Sequence, residues 1–126
     1  MTVQNIRPKE AFQKMKEGYR YLDVRTQEEF ENGHPKGAVN IPIFVVGPVG
    51  RMLNPKFAEE VLEKFPSATK LVIGCQSGGR SAKACELLQA QGYANCFNID
   101  GGFGGKVDPA TGETIAGWQD EGLPCE

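Results

Sequence analysis

Histidine is nearly absent from this chain: His34 stands alone among 126 residues. The four cysteines, Cys75, Cys85, Cys96 and Cys125, include no Cys-x-x-Cys pair. Zinc sites draw on closely spaced cysteines and histidines, so no metal is expected. No apolar run approaches the roughly 18 residues a membrane helix needs. Charge of one sign is lacking too. Fourteen Lys and Arg against 16 Asp and Glu leave a net charge of −2, which gives no footprint for nucleic acid or an anionic membrane. Residues 1–7 lack the charged start and apolar middle of a signal peptide. Unless a targeting segment has been removed, a cytoplasmic location with reduced thiols is expected. Internal repeats, low-complexity tracts and linkers are missing, and residues 1–126 are expected to form one domain.

What is present is an alternation of helical and extended patterns. Pro8 in a first turn and Gly18 past the end bracket a helix, and Arg20 to Val24 reads as a strand. Thr26-Gln27-Glu28-Glu29 is a capping box that starts a short helix. Ala38-Val39-Asn40-Ile41 reads as a short strand, and the glycine- and proline-rich residues 42–54 as a loop. Pro55 to Phe65 carries apolar residues at helical spacing. Leu71-Val72-Ile73-Gly74 is an apolar strand leading into a helix that ends near Gly92, and Cys96-Phe97-Asn98-Ile99 is a further strand. Strands alternating with helices through short links imply an α/β domain, its parallel sheet covered on both faces.

Cys75 ends the apolar strand and opens the turn Gln76-Ser77-Gly78-Gly79-Arg80, after which Ser81 to Leu88 reads as a helix. A turn at that place rings the sulfur with backbone N–H groups, and the helix points its positive end at the same spot. Such surroundings lower a cysteine pKa from about 8.5 into the range of roughly 3.5–7.5. Cys75 is therefore the expected nucleophile. Cys85 on the helix and Cys96 in a strand are explained by packing, and Cys125 is terminal and exposed.

The loop resembles the active-site loop of the rhodanese family of single-domain sulfurtransferases. So do Asp23-Val24-Arg25 with Glu28-Glu29-Phe30, Gly33-His34, Gly37-Ala38-Val39-Asn40-Ile41-Pro42, Asp100-Gly101-Gly102, and Trp118 before Gly122-Leu123-Pro124. In the family's order these cover nearly the whole chain. The resemblance implies a rhodanese-like three-layer α/β/α domain with a central parallel sheet. One segment departs from the pattern: Trp118 lies 18 positions after Asp100, where the family has only a few. Lys106-Val107 and Glu113-Thr114-Ile115 flank the turn-rich Asp108-Pro109-Ala110-Thr111-Gly112, which reads as a hairpin inserted at about 104–115. It is either a tolerated surface insertion or a wall of the site.

The resemblance implies ping-pong sulfur transfer from a donor such as thiosulfate, through a persulfide on Cys75, to cyanide, a thiol or a protein. No organic cofactor is required, and a monomer is expected. The alternative is a persulfide carrier or protein-interaction module with little small-molecule turnover. Related phosphatases and arsenate reductases place five residues between cysteine and arginine. Here Gln76, Ser77, Gly78 and Gly79 make four, a cradle better suited to an outer sulfur than to phosphate, and the loop has no acid for a leaving group. Arg80 is read as facing substrate or fixing the loop, and as tilting the donor towards thiosulfate. Asp23 is read as bracing the loop through charge-assisted hydrogen bonds, and Arg25 as bracing or contacting substrate. Arg51 is either a second cation for the donor or a free surface residue. Structural roles are expected for His34, Asp100 and Trp118.

Overall fold

The computed structural model describes residues 3–126. In chain order the elements are β1 (Asn5–Ile6), α1 (Pro8–Lys16), β2 (Arg20–Asp23), α2 (Gln27–Glu31), β3 (Val39–Asn40), β4 (Phe44–Gly47), β5 (Gly50–Leu53), α3 (Phe57–Lys64), β6 (Leu71–Gly74), α4 (Gly79–Ala90), β7 (Cys96–Ile99), β8 (Lys106–Val107) and β9 (Thr114–Ile115). Local signals place the helix ends. Pro8 sits in the first turn of α1, and Gly18 beyond its end takes the left-handed conformation that glycine adopts without penalty, φ +104°. At α2 the Thr26 hydroxyl accepts from the Glu29 N–H, while Glu29 Oε1 accepts from the Thr26 N–H.

A five-stranded sheet in the order β1-β7-β6-β2-β3, all parallel, forms the middle layer. From β2 the chain crosses to β3 on one side, and from β6 it crosses to β7 on the other. The carboxyl ends of β2 and β6 therefore border a topological switch point, where open α/β sheets form their binding crevice. Asp23 ends β2 and Cys75 follows β6, so both lie at that crevice.

Alternation along the strands feeds two cores. Leu22, Leu71 and Ile73 pack on one side with Phe57 and Val61 of α3 and with Ala84, Cys85 and Leu88 of α4. Tyr21 and Val72 pack on the other with Ala11 of α1, Phe103 and Trp118. Trp118 is fully buried, edge-on to Phe12 and Tyr21, and its Nε1–H donates to the Pro124 carbonyl at 2.8 Å.

Two elements differ from the sequence expectation. Residues 42–54, expected as a loop, contain the antiparallel β4–β5 pair, clamped at its base by Asn54. The Asn54 N–H donates to the Ile43 carbonyl at 2.7 Å, and Asn54 Nδ2 to the Pro42 carbonyl at 3.0 Å. Its strands show no alternation because β5 is exposed throughout. The short edge strand β1 was also not foreseen; two residues carry too little pattern to read.

The insertion does form a hairpin, β8 against β9. The Trp118 N–H donates to the Gly102 carbonyl at 2.8 Å and the Gln119 N–H to the Phe103 carbonyl at 3.0 Å. The chain thus leaves and re-enters the fold at adjacent points, so Trp118 reaches its buried site despite the extra residues. Ile115 is buried, whereas Val107 is exposed. Replacing residues 108–113 with an Asn-Gly turn should leave thermal unfolding nearly unchanged. Ile115→Ala should lower stability by about 2 kcal/mol. Equal losses in the two variants, measured by denaturant unfolding, would show that the tip and not Ile115 anchors the insertion.

Candidate active site

The loop after β6 is shaped from behind by the segment after β7. The carbonyls of Cys75, Gln76 and Ser77 accept from the N–H groups of Phe103 (2.8 Å), Gly104 (2.9 Å) and Gly101 (2.9 Å). In a trans peptide the N–H points opposite to the C=O. Tying down these three carbonyls therefore turns the amides of Gln76, Ser77 and Gly78 to the opposite side. The Gly78 N–H duly donates to Cys75 Sγ at 3.0 Å. The amides of Gln76 and Ser77, and those of Gly79, Arg80 and Ser81 in the first turn of α4, donate to no other group among the described residues. These unpaired donors cluster in the loop that follows a cysteine 2% exposed, an arrangement of the kind that suits an anion. Gly102 makes the approach possible: φ is +53°, and a Cβ there would strike the Cys75 and Gln76 carbonyls.

Ser81, which the sequence reading passed over, is fully buried with Oγ 3.4 Å from Cys75 Sγ. Its position in the first turn of α4, directly after Arg80, was the available signal. Gln76 lies beside Gly104 and accepts from Arg25 Nη1 at 3.3 Å, so its side chain serves the loop's back wall.

Both loop arginines are engaged by carboxylates. Arg25, 2% exposed, donates from Nε and Nη2 to Asp23, the shortest contact being 2.8 Å, and from Nη2 to the Gly33 carbonyl at 2.8 Å. Its guanidinium also covers the Phe103 ring at 4.5 Å. Asn40 Nδ2 in turn holds the carbonyls of Asp23 and Arg25. Asp23 and Arg25 thus join β2, α2, the cysteine loop and the segment after β7. Arg80 makes a bidentate pair with Glu29, Nη1 to Oε1 at 2.7 Å and Nη2 to Oε2 at 3.0 Å. The pair ties the first turn of α4 to α2 and sets a carboxylate against the Arg80 charge, while Arg80 also borders the cleft beside the loop. The Arg80 guanidinium, helped by Thr26 and opposed by partial burial, holds the Glu29 carboxyl down at about 2.

The unpaired cations lie further out. Arg51 stacks on Phe44 at 4.5 Å. With Lys83, a second residue the sequence reading missed, it lines a cleft of about 420 Å³ that includes Ser77, Gly79 and Arg80. Among the described residues neither Arg51 nor Lys83 has a carboxylate partner within 4.0 Å. A hollow of about 250 Å³ on another side of the loop is lined by Arg25, Glu29, Gln76, Phe103 and Gln119. No residue of β8 or β9 lines either one.

The remaining expectations fall on structural contacts. His34 Nδ1 meets the Phe30 carbonyl at 2.7 Å, and its ring stacks on Phe30. Asp100 accepts from Lys106 at 2.6 Å, tying the hairpin to the end of β7. Burial pushes the Cys85 thiol far up and that of Cys96 up to about 11, so neither is ionised near neutrality. Cys125 is exposed.

A family model described as Rhodanese-like domain matches residues 8–105. The chain is 41% identical over 109 residues to thiosulfate sulfurtransferase 16, chloroplastic, from Arabidopsis thaliana, covering 86% of this chain and 81% of that protein. It is 45% identical over 96 residues to thiosulfate sulfurtransferase 18 of the same plant, covering 75% and 71%. The crystal structure of Rv0390 from M. tuberculosis superposes with a TM-score of 0.80 at 25% identity, covering 100% of this chain and 98% of that one. The chain belongs to the rhodanese-like domain family. Its fold is the α/β/α domain with a central parallel sheet that the sequence resemblance implied.

The Glu29–Arg80 pair has a signature in acid. A carboxyl held at about 2 in the fold, against an ordinary 4.5, contributes stability that is fully present above the unfolded value. That contribution is lost as pH falls through the folded one. Glu29→Gln should cost about 1 kcal/mol at neutral pH after solvent screening, and the stability curves of variant and parent should converge near pH 2. Curves that stay parallel down to that pH would mean the pair does not couple to folding.

Proposed function

We propose that this chain is a sulfurtransferase that carries a sulfane sulfur on Cys75. The supporting observation is the Cys75 sulfur at the focus of the loop amides, one of which already donates to it. With thiosulfate as donor, the Cys75 thiolate attacks the outer sulfur. A new S–S bond forms as the old sulfur–sulfur bond breaks, and sulfite leaves with the electron pair. The persulfide anion is left on Cys75, and the free amides of Gln76, Ser77, Gly79 and Arg80 match its charge, as an oxyanion hole does for oxygen. An acceptor thiolate or cyanide then attacks the outer sulfur and Cys75 departs as thiolate, so the protein undergoes no net redox change. Preference for an anionic donor rests in this reading on Arg51 and Lys83, because Arg80 is paired with Glu29.

Cys75→Ser should remain folded, lose thiosulfate:cyanide turnover, and no longer gain one sulfur mass after exposure to donor. Single replacement of Cys85, Cys96 or Cys125 should leave both readouts largely intact. A folded Cys75→Ser protein with parental turnover would falsify the mechanism.

A second reading, a persulfide carrier that delivers to a protein, is favoured by the β4–β5 hairpin. Val46 and Val49 are 89% and 101% exposed, with Met52 and Leu53 half-exposed. Phe44 and Arg51 of the same hairpin border the cleft at the loop. Apolar side chains exposed together beside a site suit contact with another macromolecule. A carrier should load one sulfur per chain from thiosulfate yet turn over poorly with cyanide. Rapid cyanide turnover would favour the small-molecule enzyme.

A further inference from the structure

Behind Cys75, towards β7 and β1, runs a polar chain that the loop chemistry does not use. Ser81 and Asn98 are 0% and 3% exposed. Ser81 Oγ lies 3.4 Å from Cys75 Sγ, 3.2 Å from the Gly78 carbonyl, and nearer still to Asn98 Oδ1. Asn98 Nδ2 donates to Asn5 Oδ1 at 2.9 Å, and Asn5 is exposed. The chain therefore reaches from the sulfur to solvent through two side-chain amides.

A hydroxyl has one proton, and here three acceptors compete for it. With its O–H donated to Asn98 Oδ1, Ser81 offers Cys75 an oxygen lone pair. That suits a thiol, whose S–H can donate, and opposes a thiolate. Exchanging the oxygen and nitrogen of Asn98 keeps every heavy-atom distance and reverses the chain. Asn98 Nδ2 then donates to Ser81 Oγ, the Ser81 O–H donates to the thiolate, and Asn5, free to turn in water, donates to Asn98 Oδ1. No proton travels along the chain; only the two amides and the Ser81 hydroxyl reorient. The strand pairing of Asn98 uses its backbone, so the sheet itself asks for no amide side chain at this buried place, where polar groups are costly unless satisfied.

We infer that Asn98, backed by Asn5, is a positioning residue that turns the Ser81 hydroxyl towards Cys75 when the sulfur is anionic and away from it when protonated. This rests on the reading of Cys75 as a nucleophile that ionises. The thiolate occurs twice in that cycle, as attacker of the donor and as leaving group towards the acceptor, so the chain serves both steps. Among the described residues, the charged or titratable groups that sense Cys75 are Arg80 and Cys85 on α4 and Tyr21 on β2, whose neighbours are Asp23 and Arg25. Beyond β7, Asp100 is held by Lys106 and Arg7. Burial pushes the Tyr21 hydroxyl and the Cys85 thiol well up, which keeps both neutral through the neutral range.

The test is the rate of Cys75 alkylation by iodoacetamide against pH, in a Cys125→Ser background that removes the exposed thiol. Asn98→Leu should slow alkylation about fivefold near neutrality, the size of one lost hydrogen bond between neutral groups, because Ser81 loses the donor that turns it towards the sulfur. Its rate should converge with the parent in strongly alkaline solution, where Cys75 is a thiolate in both proteins. Ser81→Ala should slow it about tenfold, the size of one lost hydrogen bond to a charged group, and Asn98→Leu should add nothing in the Ser81→Ala background. A reduction by the same factor at every pH, or additive effects of the two variants, would overturn the inference. If Asn98→Leu does not fold, the exposed Asn5 supplies the test. Asn5→Asp, which can only accept, should slow neutral alkylation, and Asn5→Lys, which can only donate, should speed it, both effects vanishing with Ser81→Ala. Effects that persist without the Ser81 hydroxyl would be plain charge and would also overturn it. Alkylation needs no sulfur donor, so it separates failure of this inference from failure of the sulfurtransferase reading.

Discussion

Three hydrogen bonds between the cysteine loop and the segment after β7 determine what the site can do. Because the amides of Gly101, Phe103 and Gly104 hold the carbonyls of Ser77, Cys75 and Gln76, the intervening peptides present N–H groups to the sulfur side. Rotating any one of them by half a turn would put a carbonyl oxygen against the anion instead. The two backbones approach closely only because Gly102 has no Cβ. The same segment carries the insertion, whose base is closed by its own backbone pairs to Trp118 and Gln119. A hairpin can therefore be accommodated here without disturbing the cradle it adjoins.

Backbone polarity has to carry the electrostatics because the nearby arginines are committed elsewhere. Arg25 is buried against Asp23, and removing either partner would strand a charge in the interior. Arg80 locks the start of α4 to α2 through Glu29. Each pair fixes the position of a loop end, and neither adds a free positive charge at the sulfur. The cations left for an incoming anion, Arg51 and Lys83, are exposed at the cleft. On the proposed chemistry, the sulfur step and recognition of the donor would fall to different parts of the molecule, one internal and the other on the surface.

Legibility in the sequence followed the range of the interactions. The Thr26 capping box, Pro8 and Gly18 act within a few residues, and their helix ends were read correctly. The Cys75 turn was legible because an apolar strand, a cysteine and a glycine-rich turn are contiguous. Arg80 and Glu29 were each noticed in their own motif, but their pairing spans 51 positions and exists only because β2 and β6 are neighbours. Ser81 was missed because a serine in a first helical turn ordinarily serves the helix, and its distance to the sulfur is a tertiary fact. The β4–β5 strands escaped because β5 is exposed along its whole length and β4 is only half-buried, so neither carries a period-two pattern, and Pro48 and the flanking glycines suggest loop.

The burial of Cys75 bears on how donor and acceptor share one site. At 2% exposure the inner sulfur lies at the floor of the loop. On the proposed chemistry a donor would have to bring its sulfur down to it, which favours a small, compact molecule. On the proposed chemistry, loading then extends the reactive atom by one S–S bond, about 2 Å, towards the mouth of the loop. An acceptor attacks that outer atom and need not reach the floor, so it can be larger than the donor. Beside that mouth stand the cleft cations and the apolar β4–β5 hairpin, features a small anion does not require in full and a protein surface could use. The depth of the cysteine and the exposure of the hairpin thereby favour the same division: a small donor going in, and a bulkier acceptor collecting at the rim.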